Sequence, residues 1–394
     1  MYRSNSLRCF LHVARVIVFG VLAGVLLASC GGGGGGGGGG ASAPQATTTY
    51  AFGRIAGFGS IVVNGVHFDE SAARIQDEDG VAHASGDLRL GMVVELEADD
   101  HDRAHDITFF SLMRGAVEGV ATDGLVVLGQ TVAVTATTVF DDSLAGGLVA
   151  VKRGMVLRIF GMLSPAGSYT ATRIEPSSAD SYALLGFISA IDTTAKTLNI
   201  GNALIDVSAL SLPNGLAVGS LVRVKLQTTQ VHGAWVATAL KSGMRQPHEG
   251  DHAEVEGTIT DFTSTISFSV NGLPVDASGA SFPDGTTGVV NGAHVEVEGA
   301  VVNGVLVATK VQVEGEGEME AEGFEVRGVI DSVNTTNSTF VVHGVTVSYA
   351  GNVTFKDGAA ADLKVGARVE VKGTLAADGT TLNAARIQFG FGDS

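Results

Sequence analysis

The chain is poor in cysteine, tryptophan and basic residues, and each shortage removes a class of function. Only Cys9 and Cys30 occur in 394 residues. The first falls in a leader that is expected to be removed and the second is expected to carry lipid, so the mature fold holds no disulfide, thiol nucleophile, Cys-ligated zinc or iron–sulfur cluster. Lysine and arginine total 24 against 41 acidic residues, for a formal net charge of −17. Phosphate binding needs a basic face, so nucleic acid is excluded as a partner, and an anionic lipid surface repels the body of the chain. A single Trp and 18 Phe at 45% hydrophobic content point to several small cores rather than one large one. Outside the leader almost no stretch has the 3.6-residue period of a helix. A catalytic signature is also missing: Gly57-Phe58-Gly59-Ser60 lacks the strand-turn-helix context of a nucleophile elbow or a dinucleotide loop.

What is present begins with an address. Arg3, Arg8 and Arg15 precede an apolar run from Val16 to Ala28, too short for a stable transmembrane helix but suited to a signal-peptide core. Leu27-Ala28-Ser29-Cys30 then resembles the bacterial lipobox, at which residues 1–29 are removed and the Cys30 thiol carries diacylglycerol. The membrane is thus a partner through the lipid anchor, since several acyl chains at ~0.8 kcal/mol per buried methylene give stable attachment. Ten glycines, Gly31–Gly40, open a flexible tether assigned to residues 30–51, whose coil spans on the order of 25 Å. Gly31 in place of Asp after the lipidated cysteine favours the outer membrane, with the body facing the periplasm or the cell surface.

Beyond the tether the chain repeats itself five times. A first glycine recurs at Gly53, Gly115, Gly186, Gly257 and Gly328, at separations of 62, 71, 71 and 71 residues. Each opens a short apolar strand such as Gly53-Arg54-Ile55 or Gly328-Val329-Ile330. A hairpin turn follows, as in Val63-Asn64-Gly65 and Val270-Asn271-Gly272, with residues suited to positive φ. A second glycine, Gly91, Gly154, Gly219, Gly292 or Gly366, introduces a strictly alternating strand. Val94 and Leu96 face inward there with Glu95 and Glu97 outward, and Val369 and Val371 alternate with Glu370 and Lys372. Period two with one polar face predicts a half-buried antiparallel strand. The outward charges change sign from copy to copy, which suggests a solvated surface.

Five strands in roughly 60 residues suggest a closed barrel without exposed edges. The expected fold is all-β: five tandem small OB-like five-stranded β-barrel units after the signal peptide and tether. The units are placed at residues 52–112, 113–178, 179–243, 253–314 and 325–394, with a linker at 244–252 and an acidic linker at 315–324. These linkers favour separate beads over a fused solenoid. The motifs at Phe340-Val341-Val342-His343-Gly344-Val345, Leu363 to Gly373, Asp378-Gly379-Thr380 and Ala385-Arg386-Ile387 resemble the tandem repeats called domain of unknown function 5666. The resemblance implies a barrel fold in an envelope lipoprotein and carries no activity or site residues.

Three groups are candidates for binding. Asp99, Asp100, His101, Asp102, His105 and Asp106, with Glu97 beside them, pair carboxylates and imidazoles in a loop of the first repeat, a ligand set for calcium or another divalent metal. If that loop is extended, His101 and His105 lie roughly 13 Å apart, which favours a solvated hairpin. His248 and His252, with Glu249 and Asp251, form a second group in the 244–252 linker; zinc, nickel or calcium are the ions to test. Trp235 is either core or a rim aromatic for a carbohydrate. No cofactor is otherwise implied. The expectation is a non-catalytic repeat array acting as spacer or binding module in the envelope, with divalent-metal binding or polysaccharide recognition as alternatives.

Overall fold

The computed structural model describes residues 48–164, 167–178, 180–242, 247–313 and 323–390. The leader, Cys30, the glycine run and most of the acidic linker lie outside the described residues. Among those residues every regular element is a strand or a one-turn 3-10 segment. The first repeat holds β1 (Thr49–Phe58), β2 (Ile61–Val63), β3 (Val66–Phe68), β4 (Arg74–Asp77), β5 (Ala82–His83), β6 (Val93–Ala98) and β7 (Ala104–Phe109). The second holds β8 (Met113–Val120), β9 (Gly124–Val127), β10 (Gln130–Phe140), β11 (Val156–Leu163) and β12 (Tyr169–Pro176). In the third are β13 (Tyr182–Asp192), β14 (Thr197–Ile200), β15 (Ala203–Asp206), β16 (Leu221–Val231) and β17 (Ala234–Ser242). The fourth contains β18 (His252–Ser264), β19 (Ser267–Val270), β20 (Leu273–Asp276), β21 (His294–Val302) and β22 (Val305–Val313). The last contains β23 (Phe324–Asn334), β24 (Thr339–Val342), β25 (Val345–Ser348), β26 (Thr354–Lys356), β27 (Arg368–Leu375) and β28 (Thr381–Phe389). Thr49-Tyr50-Ala51, assigned to the tether from sequence, and His252, assigned to a linker, are strand residues.

The expectation of discrete OB-like barrels strung as beads is overturned. The first strands pair with one another across repeats. β1 runs parallel to β18 from Thr49↔His252 to Phe52↔Val255 and parallel to β23 at Gly57↔Glu325 and Phe58↔Val326. β8 pairs antiparallel with β13 at Arg114↔Ala183 and Met113↔Leu184. Strands of different repeats thereby gather into sheets of 18 and 10 strands, and the architecture is a β-solenoid of about nine turns. The physical reason is twofold: a unit of roughly 60 residues buries a marginal core, and the free edge of each first strand is a pairing template that another repeat satisfies.

One apolar cluster joins residues of the first, fourth and fifth repeats, among them Ile55, Leu96, Ile259, Val297, Ile330 and Phe340, and takes in Val139 and Phe160 of the second. Another joins the second and third repeats through residues such as Leu125, Ile159, Leu184 and Val224. Because repeats cover one another, the polar face of the alternating strands is not simply solvated. Glu95 is 8% exposed and Glu370 is 7% exposed.

The two recurring glycines have separate physical reasons. The first lies under the folded-back hairpin: a Cβ would strike Asn64 at Gly53, Leu128 at Gly115, Ile200 at Gly186, Asn271 at Gly257 and His343 at Gly328. The second is left-handed in every repeat, with φ of 79°, 88°, 88°, 87° and 86° from Gly91 to Gly366. That conformation aims its N–H at the carbonyl of Ile55, Val117, Ile188, Ile259 or Ile330. The N–H of the same apolar residue donates back to the residue after the glycine, and all ten bonds measure 2.8–3.0 Å.

The first repeat departs from the others by an added hairpin, β4–β5, whose turn carries Glu78 and Asp79. Glu78 accepts from Ser111 Oγ at 2.8 Å and pairs with Arg158 and with Arg114, while Asp79 pairs with Arg114 and Lys225, each at 3.3 Å. Arg158 also stacks on Phe109 and Phe160 at 5.0 and 5.1 Å. An acidic turn of the first repeat is thus seated among cations of the second and third.

Three stability outcomes are expected from chemical denaturation. Gly257→Ala destabilises by roughly 1–3 kcal/mol through overpacking, and Asn271→Gly in the same chain recovers most of the loss. Gly366→Ala costs about 1–2 kcal/mol through the left-handed backbone alone and is not recovered by Asn271→Gly. Glu78→Gln, which strands buried arginines, costs about 3–5 kcal/mol, whereas Arg74→Ala at the exposed Arg74–Asp106 pair changes stability by less than about 1 kcal/mol.

Candidate functional site

The acidic loop of the first repeat is the turn between β6 and β7. Asp99 Oδ1 accepts from the backbone N–H groups of His101 and Arg103, and Oδ2 accepts from the Arg103 guanidinium at 2.9 Å. These bonds, the Arg103 backbone first, hold its carboxyl down to about 2. Asp99 therefore shapes the turn. Asp100 lies 2.6 Å from His101 Nδ1, and one ligand atom each of Asp99, Asp100 and His101 fall within 4.8 Å of one another. The structure does not bring the rest of the predicted set to this point. Asp102 takes a left-handed φ of 57°, and burial together with Glu254 and Asp99 raises its carboxyl above the usual range. His105 is exposed on β7, and Asp106 is bound to Arg74 at 2.5 Å.

The second His/acid group, distant in sequence, meets the first. Parallel pairing of β1 and β18 sets His248 Nδ1 3.3 Å from Glu97 and 3.7 Å from Asp251. His252 Nε2 stands 3.8 Å from Glu254, whose carboxylate raises the imidazole above its ordinary value. Asp251 is bound by Thr48 Oγ1 and by the His248 N–H, so it closes the start of β18.

Near His101 and Asp102 opens a cleft of about 780 Å³ between the first and fifth repeats. His67, Asp69, Glu70, Asp331 and His343 line it with Arg327 and Arg368. Burial, then the Arg327 charge, lowers His67 below the usual imidazole range. Gly59 is needed here because a Cβ would strike the Arg327 backbone. The Gly57-Phe58-Gly59-Ser60 segment thus serves close passage of β1 against the fifth repeat.

A smaller slot of about 330 Å³ lies among the first, second and fourth repeats. At its base Glu256 accepts from the Arg54 N–H at 3.4 Å and sits 2.9 Å from His294 Nε2. Burial pushes Glu256 upward, but His294 and Arg54 outweigh it and hold the carboxyl below its usual value. The Arg54 guanidinium stacks on Phe324 at 5.4 Å. The walls are hydroxyl-rich, with Thr135, Thr137, Thr170 and Thr258 beside Met162 and Ala171.

Trp235 is partly buried on β17, edge-on to Tyr182 at 5.7 Å and packed against the core of the second and third repeats. Sequence reasoning missed both the cleft and the slot. Their residues come from different repeats, so spacing along the chain carries no signal; the one hint is the charge placed beside a repeat glycine, Arg54 after Gly53 and Glu256 before Gly257.

No curated protein gives a significant match to this chain. Residues 114–175, 256–312 and 327–388 each match the family described as Domain of unknown function (DUF5666). The chain therefore carries tandem copies of the domain of unknown function DUF5666.

Proposed function

We propose that this chain is a lipid-anchored protein of the bacterial envelope whose fused repeats form a non-catalytic platform, holding a binding surface at a distance from the membrane. The observation that carries this reading is what the repeats share. All five share a glycine under a hairpin and a reciprocal backbone bond to a left-handed glycine, which are devices of shape. Polar groups instead vary from repeat to repeat: the residue before the first glycine is Phe52, Arg114, Leu185, Glu256 or Arg327, and an acid–base pair between the last two strands joins Glu296 to Lys310 in the fourth repeat and Glu370 to Arg386 in the fifth. A chemistry common to the repeats would need a recurring polar constellation, whereas a platform needs recurring geometry with a variable surface. The basic leader, the Leu27-Ala28-Ser29-Cys30 junction and the glycine run support the anchor. The partner is then an envelope protein or polysaccharide.

Divalent-metal binding is the second reading, favoured by the proximity of Asp99, Asp100 and His101. The platform reading sets this loop down as a turn organised by Asp99.

Two outcomes test these readings. Cys30→Ser moves the chain from the membrane fraction to the soluble fraction of cells; membrane retention of that variant contradicts the anchor. Calorimetric titration with zinc, nickel and calcium gives no micromolar binding, and a variant with His101, His105, His248 and His252 changed to Ala behaves identically. Micromolar binding lost in the variant makes the protein a metal-binding lipoprotein instead.

A further inference from the structure

We propose that the slot among the first, second and fourth repeats binds one neutral, hydroxyl-bearing sugar unit of an envelope polysaccharide. This rests on the platform reading above and names its ligand class. The size fits a single small ligand, since about 330 Å³ lies at the low end of the ~300–1,000 Å³ range of small-molecule sites.

Charge selects a neutral ligand. Arg54 and Glu256 are 5% and 7% exposed and oppose each other at the base, and both Glu256 oxygens already have protein partners in His294 and the Arg54 N–H. The base therefore has no uncompensated charge to offer an ion, and the acidic balance of the whole chain, −17, disfavours an anion further.

The walls select hydroxyls. Thr135 and Thr137 share one 3.0 Å bond between their own hydroxyls, which leaves each with remaining capacity. Among the described residues, the Thr170 and Thr258 hydroxyls have no protein partner. A threonine hydroxyl both donates and accepts, as a sugar hydroxyl does. Met162 supplies an apolar contact for the C–H face of a sugar ring. Such a lining of apolar surface with a few convergent polar groups is the usual composition of a small-ligand site. The slot exists because β1 pairs with β18 while β11 and β12 close over them, so it belongs to this junction of three repeats and is not a property of a single repeat.

The test uses the full chain in a sugar-free zwitterionic detergent, with maltose, cellobiose and N,N′-diacetylchitobiose as probes in saturation-transfer NMR. At least one disaccharide is expected to receive saturation. Thr170→Leu, which fills the slot, is expected to weaken that binding by about tenfold or more, and Thr258→Val to weaken it with the melting temperature unchanged. Equal response of wild type and Thr170→Leu, or no saturation of any probe, overturns the proposal. Co-sedimentation with isolated envelope polysaccharide separates this failure from failure of the platform reading. Polysaccharide bound equally by wild type and Thr170→Leu removes the slot but leaves an envelope-binding platform; polysaccharide bound by neither removes polysaccharide as the platform's partner as well.

Discussion

Five times along the chain, an apolar residue two positions after a repeat glycine exchanges backbone hydrogen bonds with a left-handed glycine and its successor. This pair lies within the first strand of each repeat and fixes where along it the alternating strand starts. The alternating strand then lies antiparallel to the first strand, as β6 does along β1 from Thr49↔Ala98 to Arg54↔Val93. The hairpin between them must fold back over the first strand, and the repeat glycine makes room for it. A side chain at either glycine would move a whole repeat, because the remaining strands take their register from this corner.

The corner also explains why the repeats fuse. It leaves the N-terminal part of the first strand with one satisfied edge and one free edge, and the free edge is taken by the first strand of another repeat. Sheets therefore pass from copy to copy, and side chains that would be solvated on an isolated unit become interfacial. The resulting polar groups are paired where they are covered: Glu78 with Arg114 and Arg158, Glu256 with His294, Glu370 with Arg386 and Arg327. Of these, the Glu78 pairs join the first repeat to the second, so separating the two repeats would strand a buried charge; the other two tie strands within the fourth and fifth repeats.

What could be read from the sequence was local. The glycine spacing, the Asn-Gly turn at Asn64 and the alternation of Val94 and Leu96 are set by neighbours within a few residues, and the structure contains each of them. Glu95 shows where this ended: its outward position is correct for an isolated strand, and its burial depends on how another part of the chain covers it. Discrete barrels follow from five strands in roughly 60 residues and separate beads from the linkers, but His252 in one such linker is the residue that pairs with Thr49. The acidic loop was recognised by composition, yet Asp99 is occupied by its own turn, Asp102 sits in that turn with a left-handed backbone, and His105 and Asp106 on β7 diverge because successive strand residues point to opposite faces. The slot holding Arg54, Glu256 and Thr170 draws on three repeats and had no sequence signal of sufficient strength.

The central claim is that pairing between first strands, within the first, fourth and fifth repeats and within the second and third, together with the contacts that join the two groups at Glu78–Arg158, Thr172–Gly91 and Phe140–Gly379, makes the repeats one cooperative body. Native-state hydrogen exchange of the Ile55, Val117, Ile188, Ile259 and Ile330 amides across a denaturant series tests it directly. Each of these N–H groups sits at the corresponding corner of its repeat. The account predicts that their opening free energies converge on a single value as denaturant rises, the signature of one global unfolding event. Five distinct values that persist up to unfolding would mean that the repeats open as independent beads, and would contradict it.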